Sequence, residues 1–118
     1  MTHPLEAHVT MCVADYLRLR QVWFFRPLGH LGQIPGIPDF VGCWRGRFLG
    51  IECKAPRPLN TPKQIAGFLG EKQRAQLLAI HEAGGLAIVA TRLEDVMMAL
   101  TYPEPPRTEI YITELMEA

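Results

Sequence analysis

The chain contains no run of eighteen apolar residues, so no segment reads as a helix able to span a bilayer. It shows no basic region followed by an apolar core of the kind that marks a signal peptide, which predicts a protein of the cytoplasm. Cysteine is scarce. Cys12, Cys43 and Cys53 form no C-x-x-C pair, and their odd number and scattered positions favour reduced thiols over a disulfide framework. His3, His8, His30 and His81 lack metal-ligand spacing, which argues against a zinc site. Net charge is also missing: 12 Lys and Arg balance 12 Asp and Glu, unlike a strongly basic nucleic-acid binder. No internal repeat and no low-complexity segment interrupts the chain.

What is present suits one globular domain over residues 1–118, with 48% hydrophobic residues to build a core. The balanced charge is unevenly placed. Residues 1–63 hold eight Lys/Arg against four Asp/Glu, and residues 64–118 hold four against eight. The basic half also contains the most informative residues. Asp39 follows Pro38 in Ile-Pro-Gly-Ile-Pro-Asp-Phe, and Glu52 and Lys54 sit in the apolar run Phe48–Lys54. A charge on a core strand costs several kcal/mol, on the order of 3–5, unless it is paired or holds a metal.

The segments 38–44 and 47–54 read as two strands joined at Arg45-Gly46. With those two as the loop, Trp44 faces Arg47, Cys43 faces Phe48 and Asp39 faces Glu52. Directly opposed residues share a face, and the period of two adds Lys54 to it. Phe40, Trp44, Leu49, Ile51 and Cys53 then form the opposite, core-facing side. Arg45 is a poor first residue for a type I′ turn, and a three-residue loop would shift this register. Two carboxylates so close repel unless a cation lies between them. Mg²⁺ suits one or two carboxylates, with water and phosphate oxygens completing its shell. Lys54 is then placed to orient or deprotonate a water, or to stabilise charge on a phosphate.

The flanking pattern is helix 4–20, strand 22–26, the two strands above, helix 71–83, strand 86–90 and a helix from Thr91-Arg92-Leu93-Glu94 to about Leu100. Val9, Cys12, Val13, Tyr16 and Leu17 mark the apolar stripe of the first helix, and Glu6 lies near its positive end. Residues 27–37 form a glycine- and proline-rich loop, and Thr61-Pro62-Lys63-Gln64 has the form of a helix start. Residues 102–107 are proline-rich. In the last eleven residues Ile110 and Ile112 alternate like an edge strand, while Leu115-Met116 fit a helix. This order predicts an α/β sandwich with a mixed sheet flanked by helices.

Pro38-Asp39 … Glu52-Cys53-Lys54 resembles the PD-(D/E)xK nuclease superfamily. Glu6, Gly36-Ile37-Pro38-Asp39, Glu52-Cys53-Lys54, Gln73 and Gly84–Ala90, in that order, resemble the VRR-NUC family over roughly residues 5 to 100. The resemblance implies a small restriction-endonuclease-like core and a Mg²⁺- or Mn²⁺-dependent endonuclease acting on DNA. It implies Asp39 and Glu52 as metal ligands, the main-chain carbonyl of Cys53 as a third, and Glu6 reaching the metal through water. Lys54 would be the catalytic lysine, with a glutamine beside it. Spacing from the lysine selects Gln64, and spacing to the following strand selects Gln73; Gln73 is preferred. Standalone domains of this size resemble phage and bacterial enzymes related to Holliday-junction resolvases, which implies a homodimer on branched DNA. Candidates for DNA contact are Arg26, His30, Arg57 and Lys63. Arg18, Arg20, Arg45 and Arg47 could also meet phosphate, but each alone reads as surface charge. Trp23 and Trp44 read as core or subunit-contact aromatics. Two other functions fit the same residues: a non-catalytic DNA-binding or assembly module, and a sequence-specific restriction-type nuclease.

Overall fold

A computed structural model describes residues 4–28, 34–56, 63 and 67–101. The first helix, α1 (Pro4–Leu19), follows its apolar stripe. Val9, Val13 and Leu17 are buried, while Cys12 and Tyr16 lie half-buried at its margins. Its end is set by backbone chemistry. The Val22 N–H donates to Leu17 O and the Gln21 N–H to Arg18 O, both at 3.0 Å, with Gln21 at φ 57°. This is the left-handed Schellman stop, and both Val22 and Leu17 belong to the main core. The chain thereby reverses into β1 (Trp23–Phe25).

The strands β2 (Phe40–Trp44) and β3 (Arg47–Cys53) form the expected hairpin. Trp44 pairs with Arg47, Cys43 with Phe48 and Phe40 with Ile51, so one further step sets Asp39 opposite Glu52. The loop has two residues. Arg45 and Gly46 have φ of 48° and 82°, the positive pair that a type I′ turn needs. Arginine therefore occupies a position where asparagine, aspartate or glycine is the usual choice. Strand β2 starts two residues later than the sequence predicts, because Pro38 has no N–H for the ladder and Asp39 uses its side chain there instead.

Helix α2 (Glu71–Glu82) leads to β4 (Leu86–Ala90), which runs parallel to β3, and α3 (Leu93–Thr101) follows. The four strands lie in the order β1-β2-β3-β4, antiparallel except for the last pair. The domain is thus a compact α/β fold with a mixed sheet and, among the described residues, these three helices. No helix among the described residues is long and apolar enough to cross a membrane.

Alternation along the strands sorts two layers. Phe40, Leu49, Ile51, Cys53, Leu86, Ile88 and Ala90 pack against Val9, Val13 and Leu17 of α1 and Val96, Ala99 and Leu100 of α3. On the other face Ala87 and Val89 pack with Leu69 and Leu77, under α2. That second layer is short of cover. Helix α2 contacts β3 and β4, so Trp23, Phe25 and Phe48 remain 65%, 51% and 46% exposed. Trp23 is accordingly not a core residue, whereas Trp44 packs at the margin of the main core. At α3 the capping acid is Asp95: its Oδ2 accepts from the Thr91 N–H at 3.0 Å, and the carboxylate is buried. Most of the Thr61–Gln64 segment and all of residues 102–118 lie outside the described residues.

Leu17 is wholly buried and Leu19, two residues on, is 78% exposed. Leu17→Ala is expected to cost about 3 kcal/mol and Leu19→Ala less than about 0.5 kcal/mol. Urea denaturation measures both, with similar slopes for the two variants.

Candidate metal centre

The site grows from the end of the β2–β3 hairpin remote from its turn. Asp39 lies just before β2, and its Oδ2 accepts a hydrogen bond from the Cys53 N–H at 2.8 Å. This bond ties the aspartate to the strand that carries Glu52 and Lys54. Glu52 is only 4% exposed. Its carboxyl is pushed up from near 4.5 to about 8, chiefly by burial and next by the negative charge of Asp39. Lys54 pulls in the opposite direction without cancelling them, and Glu6 adds a smaller upward push. Without a cation, the folded protein therefore holds a proton here at neutral pH.

Gln73 joins the two halves of the site. Its Oε1 accepts from the Gly70 N–H at 2.9 Å and from Lys54 Nζ at 3.1 Å. Its Nε2 donates to Glu52 Oε1 at 3.0 Å. A main-chain N–H can only donate, so the Gly70 bond fixes which end of the amide is oxygen. The nitrogen must then face Glu52. Gln73 is also the third residue of α2, so the bond that holds the site closes the helix start as well. Gln64 lies outside the described residues.

The loop before Asp39 is fitted to the same helix start. A Cβ on Gly36 would lie 2.4 Å from the Lys72 carbonyl carbon and 2.7 Å from the Gln73 nitrogen, and Gly36 has φ 80°. Only glycine allows both that conformation and that approach. The loop that leads to Asp39 is thus held against the start of α2 by backbone contact at Gly36.

The remaining candidates divide. Glu6 is half-buried in the first turn of α1, and its charge reaches Glu52. Cys53 is 1% exposed, and burial, reinforced by Asp39, pushes its thiol far up. Its sulfur is therefore a protonated core group, which leaves the main-chain carbonyl as its means of meeting a metal. The exposed Arg26 lies with its guanidinium 5.2 Å from the centre of the Phe40 ring, and its charge reaches Cys53. Lys63 is exposed, and His30 and Arg57 lie outside the described residues. Sequence reasoning did not single out Gly70 or the Gly36 contact. The signal for the first is a helix whose third residue is glutamine and which lacks a side-chain cap at its start.

Among the described residues no three His, Cys, Asp or Glu side chains gather tightly enough to enclose a metal by themselves. The candidate donors are two carboxylates, Asp39 and Glu52, with the Cys53 main-chain carbonyl and the Glu6 acid beyond them as the resemblance implies. All are hard oxygen ligands, which fits Mg²⁺ or Mn²⁺ with water and phosphate completing the shell and does not fit zinc.

The chain matches no family model, no curated protein and no solved structure.

The raised Glu52 carboxyl has a pH signature. Its folded form binds the proton more tightly than the unfolded chain, so its contribution to stability is complete below about 4.5 and is lost as pH rises to about 8. Metal-free protein is expected to lose stability across that window and then level off. Glu52→Gln should flatten the dependence. A metal must displace the same proton, so Mn²⁺ affinity should rise by up to about tenfold per pH unit between pH 6 and 8. Thermal melts with chelator and calorimetric Mn²⁺ titrations in buffers of different ionisation enthalpy measure the two effects.

Proposed function

We propose that this domain is a Mg²⁺- or Mn²⁺-dependent DNA endonuclease built on a small restriction-endonuclease-like core of VRR-NUC type. The observation that carries the reading is the connected set Asp39–Glu52–Gln73–Lys54. A buried carboxylate of raised proton affinity stands beside a second carboxylate, and a glutamine links it to an amine. A purely structural role gives no reason to place Glu52 on a core strand against Asp39, since an apolar residue there would be less costly.

Asp39, Glu52 and the Cys53 carbonyl would hold the cation, with Glu6 acting through water. When bound, the cation polarises a phosphoryl oxygen and acidifies a coordinated water. The protein does the rest. The Cys53 N–H orients the Asp39 carboxylate, and Gln73 orients both Glu52 and Lys54. Lys54 is a cation with its remaining N–H donors available to a phosphate oxygen or a water. In that position it would orient the attacking water and stabilise charge as the phosphodiester is attacked. Cleavage by a single such set gives one nick, and a two-fold homodimer would place paired nicks on a four-way junction or another branched DNA. The exposed Trp23, Phe25 and Phe48 offer one apolar face for the second copy. The C-terminal segment with Tyr102, Ile110 and Ile112 is a second candidate for that contact and lies outside the described residues.

Asp39→Asn and Glu52→Gln are expected to reduce cleavage at least a hundredfold while the protein stays folded. Lys54→Ala should do the same yet keep Mn²⁺ binding. Labelled branched and linear DNA, with Mg²⁺, Mn²⁺ or chelator, reads the activity. Cleavage within tenfold of wild type in the Asp39 and Glu52 variants rejects the metal assignment. DNA binding without cleavage by wild type under every metal condition indicates a non-catalytic module.

Light scattering at micromolar concentration should give twice the monomer mass of 13.3 kDa. Trp23→Ser with Phe25→Ser should return that mass to 13.3 kDa if this face makes the dimer.

A further inference from the structure

Four arginines on the β1–β2 side of the sheet share one arrangement: each guanidinium lies over an aromatic ring. Arg26 lies over Phe40 at 5.2 Å and Arg18 over Phe24 at 5.7 Å. Arg20 and Arg45 both lie over Trp44, at 5.3 Å and 5.0 Å. These rings are not scattered. Phe40 and Trp44 are on one face of β2, and Phe24 pairs with Gly42 between them. The row runs from Phe40 to the hairpin turn, on the face of the sheet opposite to that of Asp39 and Glu52. Its length is roughly 14 Å, four residues at about 3.4 Å each.

Three features set this row apart from ordinary surface charge. Arg20 and Arg45 have no carboxylate ion partner among the described residues, and both are drawn to a single indole ring. Arg20 is further held by the Tyr16 hydroxyl at 2.7 Å. Arg45 occupies a left-handed position, φ 48°, where asparagine or glycine would sit without strain. Arg18 is the exception in charge, because Asp15 pairs with it at 3.3 Å. Stacking on a ring restrains a guanidinium but leaves its edge N–H groups outward. The rings themselves are buried or half-buried, so they are not platforms for bases.

The geometry points to a phosphate-backbone track: Arg26, Arg20 and Arg45, with Arg18 beside them, bind phosphates of a DNA strand that crosses the β1–β2 margin on the α1 face of the sheet. A row of about 14 Å is several times the roughly 3.4 Å axial rise between neighbouring phosphates of one strand, so it can meet more than one phosphate. The contact is to phosphate, so it carries no sequence preference. This inference rests on the nuclease reading for its choice of ligand, but the two can fail separately.

The test uses the full chain, a fluorescent DNA duplex and chelator, so that binding is read without metal and without cleavage. The wild type should bind with log K falling steeply against log salt. Arg45→Asn should reduce the magnitude of that slope by about 1, and Arg20→Gln with Arg45→Asn by about 2, at about 0.9 per phosphate contact. Arg45→Asn should leave Tm unchanged or raise it, because asparagine suits the positive φ. Weaker DNA binding in a protein of equal or greater Tm is a result that a structural role for Arg45 does not produce. Slopes equal to wild type in both variants overturn the track, even if Mg²⁺-dependent cleavage is intact. The expected slopes in a protein that never cleaves support the track and reject the nuclease reading alone.

Discussion

The rest of this structure depends on the burial of Glu52. A carboxyl that is 4% exposed, on the strand beside β4, needs partners or a proton. The protein supplies three kinds of answer at once. Gln73 donates to it, Lys54 opposes its charge, and a proton occupies it in the absence of a cation. Asp39 works against these, since it brings a second negative charge to the same corner. A divalent cation would relieve that conflict. The neighbouring features make sense as means of holding the conflict in place: the hairpin register, the glycine at position 36 and the Cys53 N–H bond to Asp39.

Gln73 has the widest reach. One amide closes the start of α2, orients Lys54 and constrains Glu52. Helix and sheet are therefore coupled at the site by hydrogen bonds as well as by the packing of Leu77 against Ala87 and Val89. A shift of α2 would move the lysine and the glutamate together. The close fit of Gly36 against Lys72 and Gln73 adds steric resistance to that shift. The site is thus braced on a helix end and two strands rather than carried on a free loop.

Away from this corner the two faces of the sheet differ in character. One is closed by α1 and α3, and its β1–β2 margin carries guanidiniums stacked on aromatic rings. The other is closed by α2 over β3 and β4, leaving Trp23, Phe25 and Phe48 in solvent. Charge neutrality over the whole chain conceals this polarity, because net charge sums residues that the fold places apart.

The amino-acid sequence by itself determined the local elements and the hairpin register. Period-two alternation separates Leu49, Ile51 and Cys53 from Glu52 and Lys54, and a two-residue turn leaves one way to pair them. That was enough to set Asp39 opposite Glu52, despite an arginine in the turn. Boundaries were less legible: β2 begins at Phe40 because Asp39 spends its side chain on Cys53, and α3 is capped by Asp95 because only that carboxylate reaches Thr91. The choice between Gln64 and Gln73 turned on spacing, which an insertion makes ambiguous. Tertiary structure brought Gln73 to Lys54 and Glu52, since β3 and α2 meet through packing, and no period in the chain records that contact. It also decided the proton affinity of Glu52 and the alignment of the arginines. Both depend on distances and solvent exclusion between segments far apart in sequence, quantities that exist only once the sheet has been covered.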